Sequence, residues 1–175
     1  MKLKIIIFLF FNLFIQFFYG QTSENKDVYE IVSVVIENIN PEIPIVDTLN
    51  SISIQAKFVR KQIEEKVILT KKQKKILKKG EKVKTGILID RNELPKLKFY
   101  DNDSIIAAFK NLDKKNGEYI HLKKPFYLIQ KPLIFQESGI AILNLELIGG
   151  FGAIYILKKE NGKWKIIGEI GKWYV

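Results

Sequence analysis

Residues 155–166 read Tyr-Ile-Leu-Lys-Lys-Glu-Asn-Gly-Lys-Trp-Lys-Ile, a pattern typical of a β-hairpin. Asn161-Gly162 predicts a two-residue β-hairpin turn, because both residue types tolerate the positive φ of a type I′ turn. The turn sets the register of the two strands by placing Glu160 opposite Lys163. The register in turn fixes which side chains share a face of the hairpin.

The predicted hairpin has one apolar face and one charged face. In the same register Leu157 lies opposite Ile166, and side chains alternate between the two faces along each strand. The face expected to pack in the core consists of Tyr155, Leu157, Trp164 and Ile166. The face expected to stay in water consists of Lys158, Glu160, Lys163 and Lys165.

Strand-like alternation extends upstream of the hairpin, from Tyr119 onward. It predicts a strand with one buried face, in which Ala141, Leu143, Leu145 and Leu147 alternate with Ile142, Asn144 and Glu146. The glycines that follow lie between two predicted strands, whereas a phosphate-binding loop leads from a strand into a helix. A tight turn or a β-bulge is therefore predicted at Gly149, Gly150 and Gly152.

The N-terminal half has helical periodicity instead. A first helix is predicted from apolar residues spaced along one face: Val28, Ile31, Val32, Val35, Ile36 and Ile39. Asn40-Pro41 ends it, because proline disfavours helical geometry in the preceding residue. An extended segment over residues 43–54 leads to a second, short helix with the apolar residues Phe58, Val59 and Ile63.

A third helix is predicted from Thr70 and Gln73, whose spacing is that of a capping box. This helix is rich in lysine and is closed by Gly80. A strand over residues 83–89, a turn over residues 90–95 and a helix that begins at Asp103 or Ser104 complete the prediction. Helices first and an antiparallel meander last predict a single α+β domain over residues 21–175, with the helices packed on one sheet face.

Residues 1–20 have the layout of a secretory signal peptide, with Lys2 and Lys4 before an apolar stretch that ends at Tyr19-Gly20. An uncleaved anchor is the alternative. The stretch is shorter than the roughly 20 residues that cross a bilayer, and Asn12 and Gln16 interrupt it, which favours cleavage near Gly20. The expected location is the periplasm or the medium. The chain has no cysteine, so an exported domain would fold without disulfides.

The formal net charge is +10, and much of it is local, because residues 71–84 contain eight lysines and one glutamate. The lysines are Lys71, Lys72, Lys74, Lys75, Lys78, Lys79, Lys82 and Lys84. Such a patch attracts an anionic envelope polymer or an anionic membrane surface, although charge runs are also typical of a solvated helix face. The patch lacks arginine, the residue best suited to base contacts, which argues against sequence-specific nucleic-acid binding.

Catalytic and metal-binding patterns are weak in this sequence. His121 is the single histidine and has no cysteine partner, and Ser138 does not lie in a G-x-S-x-G context. One histidine without cysteine also disfavours a structural zinc site. We therefore expect no catalytic residues, no cofactor and no metal.

Two classes of function remain open. The first is a non-catalytic module that binds or shields something in the cell envelope. The second is a small pocket enzyme or apolar-ligand binder, with a cavity between sheet and helices lined by Tyr155, Trp164 and Trp173. In it a carboxylate would act as base: Asp47, Glu146 or Glu169. That arrangement resembles nuclear-transport-factor-like domains by fold analogy.

The C-terminal third also resembles a group of exported bacterial proteins of uncharacterised function. The resemblance rests on Gly149-Gly150-Phe151-Gly152, Tyr155, the Lys159–Ile166 stretch and Trp173, together with Val-Tyr-Glu-Ile-Val at residues 28–32. It implies an exported α+β domain and no known reaction.

Overall fold

The computed structural model describes residues 26–49, 54, 56–79, 87–100, 125–148 and 150–174. The predicted signal peptide, the helix from Asp103 or Ser104, and His121 fall outside these ranges. So do Gly80, Lys82, Lys84 and Gly149, and for Trp173 the structure describes the backbone and not the side chain.

Three α-helices occur in the described N-terminal half, as predicted. Helix α1 covers residues 26–39 in its described part and ends before Asn40-Pro41. Helix α2 is Lys57–Lys66 and helix α3 is Lys71–Lys79. The predicted turn after residue 90 is a short 3-10 helix, Arg91–Glu93, and a second 3-10 helix spans Gln136–Ser138.

Nine strands are assigned within the described ranges. The first four have two residues each: β1 Ile45–Val46, β2 Thr48–Leu49, β3 Ile87–Leu88 and β4 Phe99–Tyr100. The others are β5 Tyr127–Ile129, β6 Leu133–Phe135, β7 Ile140–Leu147, β8 Phe151–Glu160 and β9 Lys163–Tyr174.

The larger sheet has the order β4-β1-β5-β7-β8-β9, and β6 pairs with the other half of β7. Strands β7, β8 and β9 form the predicted antiparallel meander. Strand β1 lies parallel to both β4 and β5, while β2 and β3 pair separately. The predicted single α+β domain, with helices before an antiparallel meander, is confirmed.

The hairpin forms in the predicted register, with Glu160 opposite Lys163 and Leu157 opposite Ile166. Its turn has the two positive φ angles that a type I′ turn requires, 51° at Asn161 and 77° at Gly162. Beyond it the register shifts between Ile156 and Leu157 and again between Gly152 and Ile154, so β8 and β9 are joined through irregularities. These shifts let two long strands twist together.

The prediction that helices cover one face of the sheet is wrong. Helix α1 packs on one face, against Ala141, Leu143 and Leu145 of β7, whereas α2 and α3 pack on the other, against Ile140 and Ile142. Strand β7 is consequently buried on both faces over its first six residues, and not on one face as predicted. Ile142 belongs to the face that was assigned to solvent; it is fully buried because two helices cover it.

Candidate functional site

Helix α3 presents the basic surface that the sequence predicts. At 100° per residue, its six lysines occupy one continuous arc of about 160° on the helix circumference. All six are exposed: Lys71, Lys72, Lys74, Lys75, Lys78 and Lys79. We call this set the lysine face. The opposite arc holds Gln73 and Leu77, which are buried, and the partly buried Ile76.

The first turn of α3 is fixed by the predicted capping box. The backbone N–H of Gln73 donates to Thr70 Oγ1 at 3.2 Å, and the backbone N–H of Thr70 donates to Gln73 Oε1 at 2.8 Å. These bonds satisfy two amides that the start of a helix leaves free.

Helix α3 is held against the sheet by one apolar and one polar contact. Leu77 is 1% exposed in the core on the α2 and α3 side. Gln73 Nε2 donates to Ser138 Oγ at 3.0 Å, and Ser138 Oγ donates to the Phe135 carbonyl oxygen. Because these contacts fix the rotation of α3 about its axis, they hold the lysine face toward solvent.

The lysine face has little internal charge compensation. Lys74 Nζ lies 2.6 Å from Glu64 Oε2 of α2, and among the described residues none of the other five lysines has an acidic group within salt-bridge distance. The first turn of α3 contains no acidic residue. Cations there oppose the helix dipole at a cost of roughly 0.3–1 kcal/mol each. Helix stability therefore does not account for Lys71 and Lys72.

An exposed apolar residue lies just before α3. Ile68 is 96% exposed in the segment that joins α2 to α3, while its neighbours Val67 and Leu69 are 7% and 6% exposed. Val67 has extended backbone geometry, and in extended chain successive side chains point to opposite sides. Burial of both neighbours thus directs Ile68 outward. The exposure of Ile68 has no clear signal in the sequence, because the alternation covers only three residues.

Tyr155 and Trp164, two of the three aromatic residues that the pocket alternative requires, pack in the core as the hairpin pattern predicts. Tyr155 and Trp164 are 3% and 2% exposed and pack on the α1 side of the sheet. Burial, with smaller contributions from the charges of Glu169 and Tyr127, raises the pKa of Tyr155 to about 12. Its hydroxyl therefore stays protonated at neutral pH.

The three candidate base carboxylates are not brought together. Asp47 lines an open depression of about 450 Å³ with Arg91, whose Nη2 donates to Asp47 Oδ2 at 2.8 Å. Glu146 is partly buried and accepts from Asn144 Nδ2 at 3.3 Å, and Glu169 is exposed. The Asp47 carboxylate is thus engaged by a guanidinium.

A buried carboxylate that the sequence analysis did not single out is Asp27, which is 3% exposed. Its Oδ1 accepts from Lys159 Nζ at 2.5 Å and from Trp164 Nε1 at 2.9 Å, and its Oδ2 accepts from Gln136 Nε2 at 3.0 Å. Burial would raise the pKa of Asp27, but these hydrogen bonds and the Lys159 charge lower it below 3.8. These hydrogen bonds tie α1 to the hairpin, which indicates a structural role for Asp27 rather than a catalytic one.

The signal for this contact was present in the hairpin register. Lys159 lies opposite Trp164, so its aliphatic stem shares the apolar face of the hairpin. Its ammonium group then needs a partner at the edge of the core.

Two further features of the described ranges limit the kinds of site that they can form. No group of three histidine, cysteine, aspartate or glutamate side chains there is arranged to hold a metal ion. None of the helices described is both long and apolar enough to cross a bilayer. Comparison of the chain with protein-family models, with curated proteins and with solved structures found no match.

Proposed function

We propose that this protein is an exported, non-catalytic module that binds an anionic partner of the cell envelope through the lysine face of α3. The observation that carries the proposal is the placement of six exposed lysines on one arc of a helix, with a single acidic partner among the described residues. A surface of this kind attracts polyanions through its summed field and through counterion release.

The rigidity of the helix also supports the proposal. The capping box and the Gln73 to Ser138 hydrogen bond fix the orientation of α3 before any partner arrives. Less ordering entropy is then lost on binding than for a disordered lysine-rich tail. Export of the protein, which residues 1–20 predict, would place it away from intracellular nucleic acid.

The alternative, a pocket enzyme or apolar-ligand binder, has less support. Tyr155 and Trp164 pack as core, and Asp47 in the open depression is already paired with Arg91. Neither arrangement supplies the water-excluded, convergent polar groups typical of ligand sites.

The test compares two variants that lose the same charge at different places. Lys71, Lys75 and Lys78 are replaced by glutamine in the first, and Lys26, Lys96 and Lys98 in the second. Lys26 lies in α1. Lys96 lies between the core residues Leu94 and Leu97, and Lys98 pairs with Glu42. The three control lysines therefore belong to the α1 side of the sheet. Glutamine keeps helix propensity close to that of lysine.

We expect the α3 variant to elute from immobilised heparin at lower salt than the control variant and to bind at least tenfold more weakly at low salt. Equal retention of both variants would overturn the proposal, because net charge and not the lysine face would then govern binding.

A further inference from the structure

We infer that the anionic partner is a lipid surface, on which the protein docks through the lysine face with Ile68 inserted among the lipids. This inference rests on the proposed function and adds the class of the partner. The observation that supports the inference is the exposure of Ile68 close to the lysine face.

The position of Ile68 matches the geometry that peripheral membrane binding requires. Three chain steps separate it from Lys71, so their Cα atoms lie within about 11 Å of each other. An apolar side chain and a basic patch at this distance reach the acyl boundary and the headgroups of the same bilayer surface. A soluble polymer would interact with the lysines and gain nothing from Ile68.

The exposure of Ile68 is built into the fold. Val67 and Leu69 are anchored in the core on either side of it, and Thr70 begins the cap of α3 immediately afterwards. Ile68 therefore cannot turn inward without pulling out a buried neighbour. Its side chain is presented rigidly, which limits the ordering cost of insertion.

Charges of both signs lie near Ile68 in the sequence, but the acidic ones are paired, Glu64 with Lys74 and Glu65 with Lys61. The first turn of α3 brings Lys71 and Lys72 next to Ile68 without an acidic residue, and long lysine side chains can lie along a membrane while their ammonium groups contact headgroup phosphates. One isoleucine with a basic patch supports reversible binding only, since a single small apolar group anchors a protein weakly. We therefore expect a salt-sensitive, peripheral association.

The first experiment measures binding to vesicles of phosphatidylglycerol and phosphatidylcholine, and to vesicles of phosphatidylcholine alone. Parent and variants are purified from an exporting host with the same N-terminus. Ile68→Ser is compared with Leu88→Ser, a control at another exposed apolar residue, 70% exposed in β3. We expect Ile68→Ser to bind anionic vesicles about tenfold more weakly, from the loss of apolar burial, and Leu88→Ser to bind like the parent. Vesicles of phosphatidylcholine alone should bind neither variant.

The second experiment uses the absence of cysteine from the chain. Ile68→Cys and Leu88→Cys each provide a single site for an environment-sensitive dye. The dye at residue 68 should shift to the blue with anionic vesicles and not with heparin, and the dye at residue 88 should not shift with either.

The outcomes separate the two proposals. The lipid inference is overturned if replacing Lys71, Lys75 and Lys78 weakens heparin and vesicle binding while Ile68→Ser binds vesicles like the parent and the dye at residue 68 does not shift. A soluble polymer or protein partner is then indicated. If the lysine variant changes neither binding, the proposed function itself fails.

Discussion

Gln73 Nε2 donates a hydrogen bond to Ser138 Oγ at 3.0 Å, across 65 residues of sequence. The same glutamine closes the capping box through its Oε1 atom, which accepts from the Thr70 N–H. One buried side chain thus serves both the start of α3 and its attachment to the 3-10 helix after β6. Because α3 carries the lysine face, this contact connects the packing of the sheet to the proposed binding surface.

Replacement of Ser138 by alanine is expected to cost about 1 kcal/mol of unfolding free energy, because it leaves a largely buried amide of Gln73 without its acceptor. Thr70→Ala should cost about 1 kcal/mol through loss of the cap. Since both partners bond the same glutamine, the two losses should not add in the double variant. Urea unfolding measures the free energies of unfolding of the two single variants and the double variant. Glu137→Ala, in the same 3-10 turn, is the control. A Ser138→Ala protein as stable as its parent would contradict a stabilising role for the bond between Gln73 and Ser138.

Asp27→Asn is expected to lower the unfolding free energy at neutral pH by about 2 kcal/mol, because the amide cannot accept from both Gln136 and Lys159 as the carboxylate does. The pKa of Asp27 is lowered in the folded protein. Its charge therefore stabilises the fold at pH values above the unfolded pKa of about 3.9, and this contribution is lost as pH falls toward the folded pKa.

The difference between parent and Asp27→Asn should consequently narrow below about pH 4 in urea unfolding measured across a pH series. Glu160→Gln is the control, because Glu160 is a half-exposed carboxylate that bridges Lys158 and Lys165 at 3.5 and 3.6 Å. Exposed pairs contribute little, so this variant should stay within about 0.5 kcal/mol of the parent. A pH-independent difference for Asp27→Asn would argue against a buried ion pair.

Tyr155→Phe is expected to make the protein more resistant to alkali. The folded pKa of Tyr155 is raised to about 12, whereas an unfolded tyrosine ionises near pH 10. The unfolded chain therefore releases a proton that the folded protein retains, and stability falls as pH rises from about 10 to about 12. Unfolding free energies measured against pH should decline less steeply for the phenylalanine variant. Superimposable curves would show that the Tyr155 hydroxyl is solvated.

Much of the local structure follows from patterns of neighbouring residues. The C-terminal end of α1 and the start of α3 are where Asn40-Pro41 and the Thr70 and Gln73 pair predict them, and the hairpin register follows from Asn161-Gly162. The exposure of the lysine face could also be predicted, because six lysines fill the arc that Gln73 and Leu77 leave free.

The candidate site was predicted in part. Lysine spacing along α3 located its charged component, but nothing in the Val67-Ile68-Leu69 triplet by itself says that the outer two residues are buried and the middle one is exposed. Tyr155 and Trp164 pack in the core, as the hairpin pattern predicts. The pattern left a pocket open as an alternative, because an apolar strand face lines a cavity or packs as core depending on what lies against it.

Neighbouring residues are enough to specify helical periodicity, capping, the turn and the pairing beside it. Long-range packing is needed to place β1 parallel between β4 and β5, to put α1 on one face and α2 and α3 on the other, and to pair Asp27 with Lys159. Two-residue strands and single polar contacts have too little local preference to select a partner. Their pairing is set by the burial of apolar surface from distant parts of the chain.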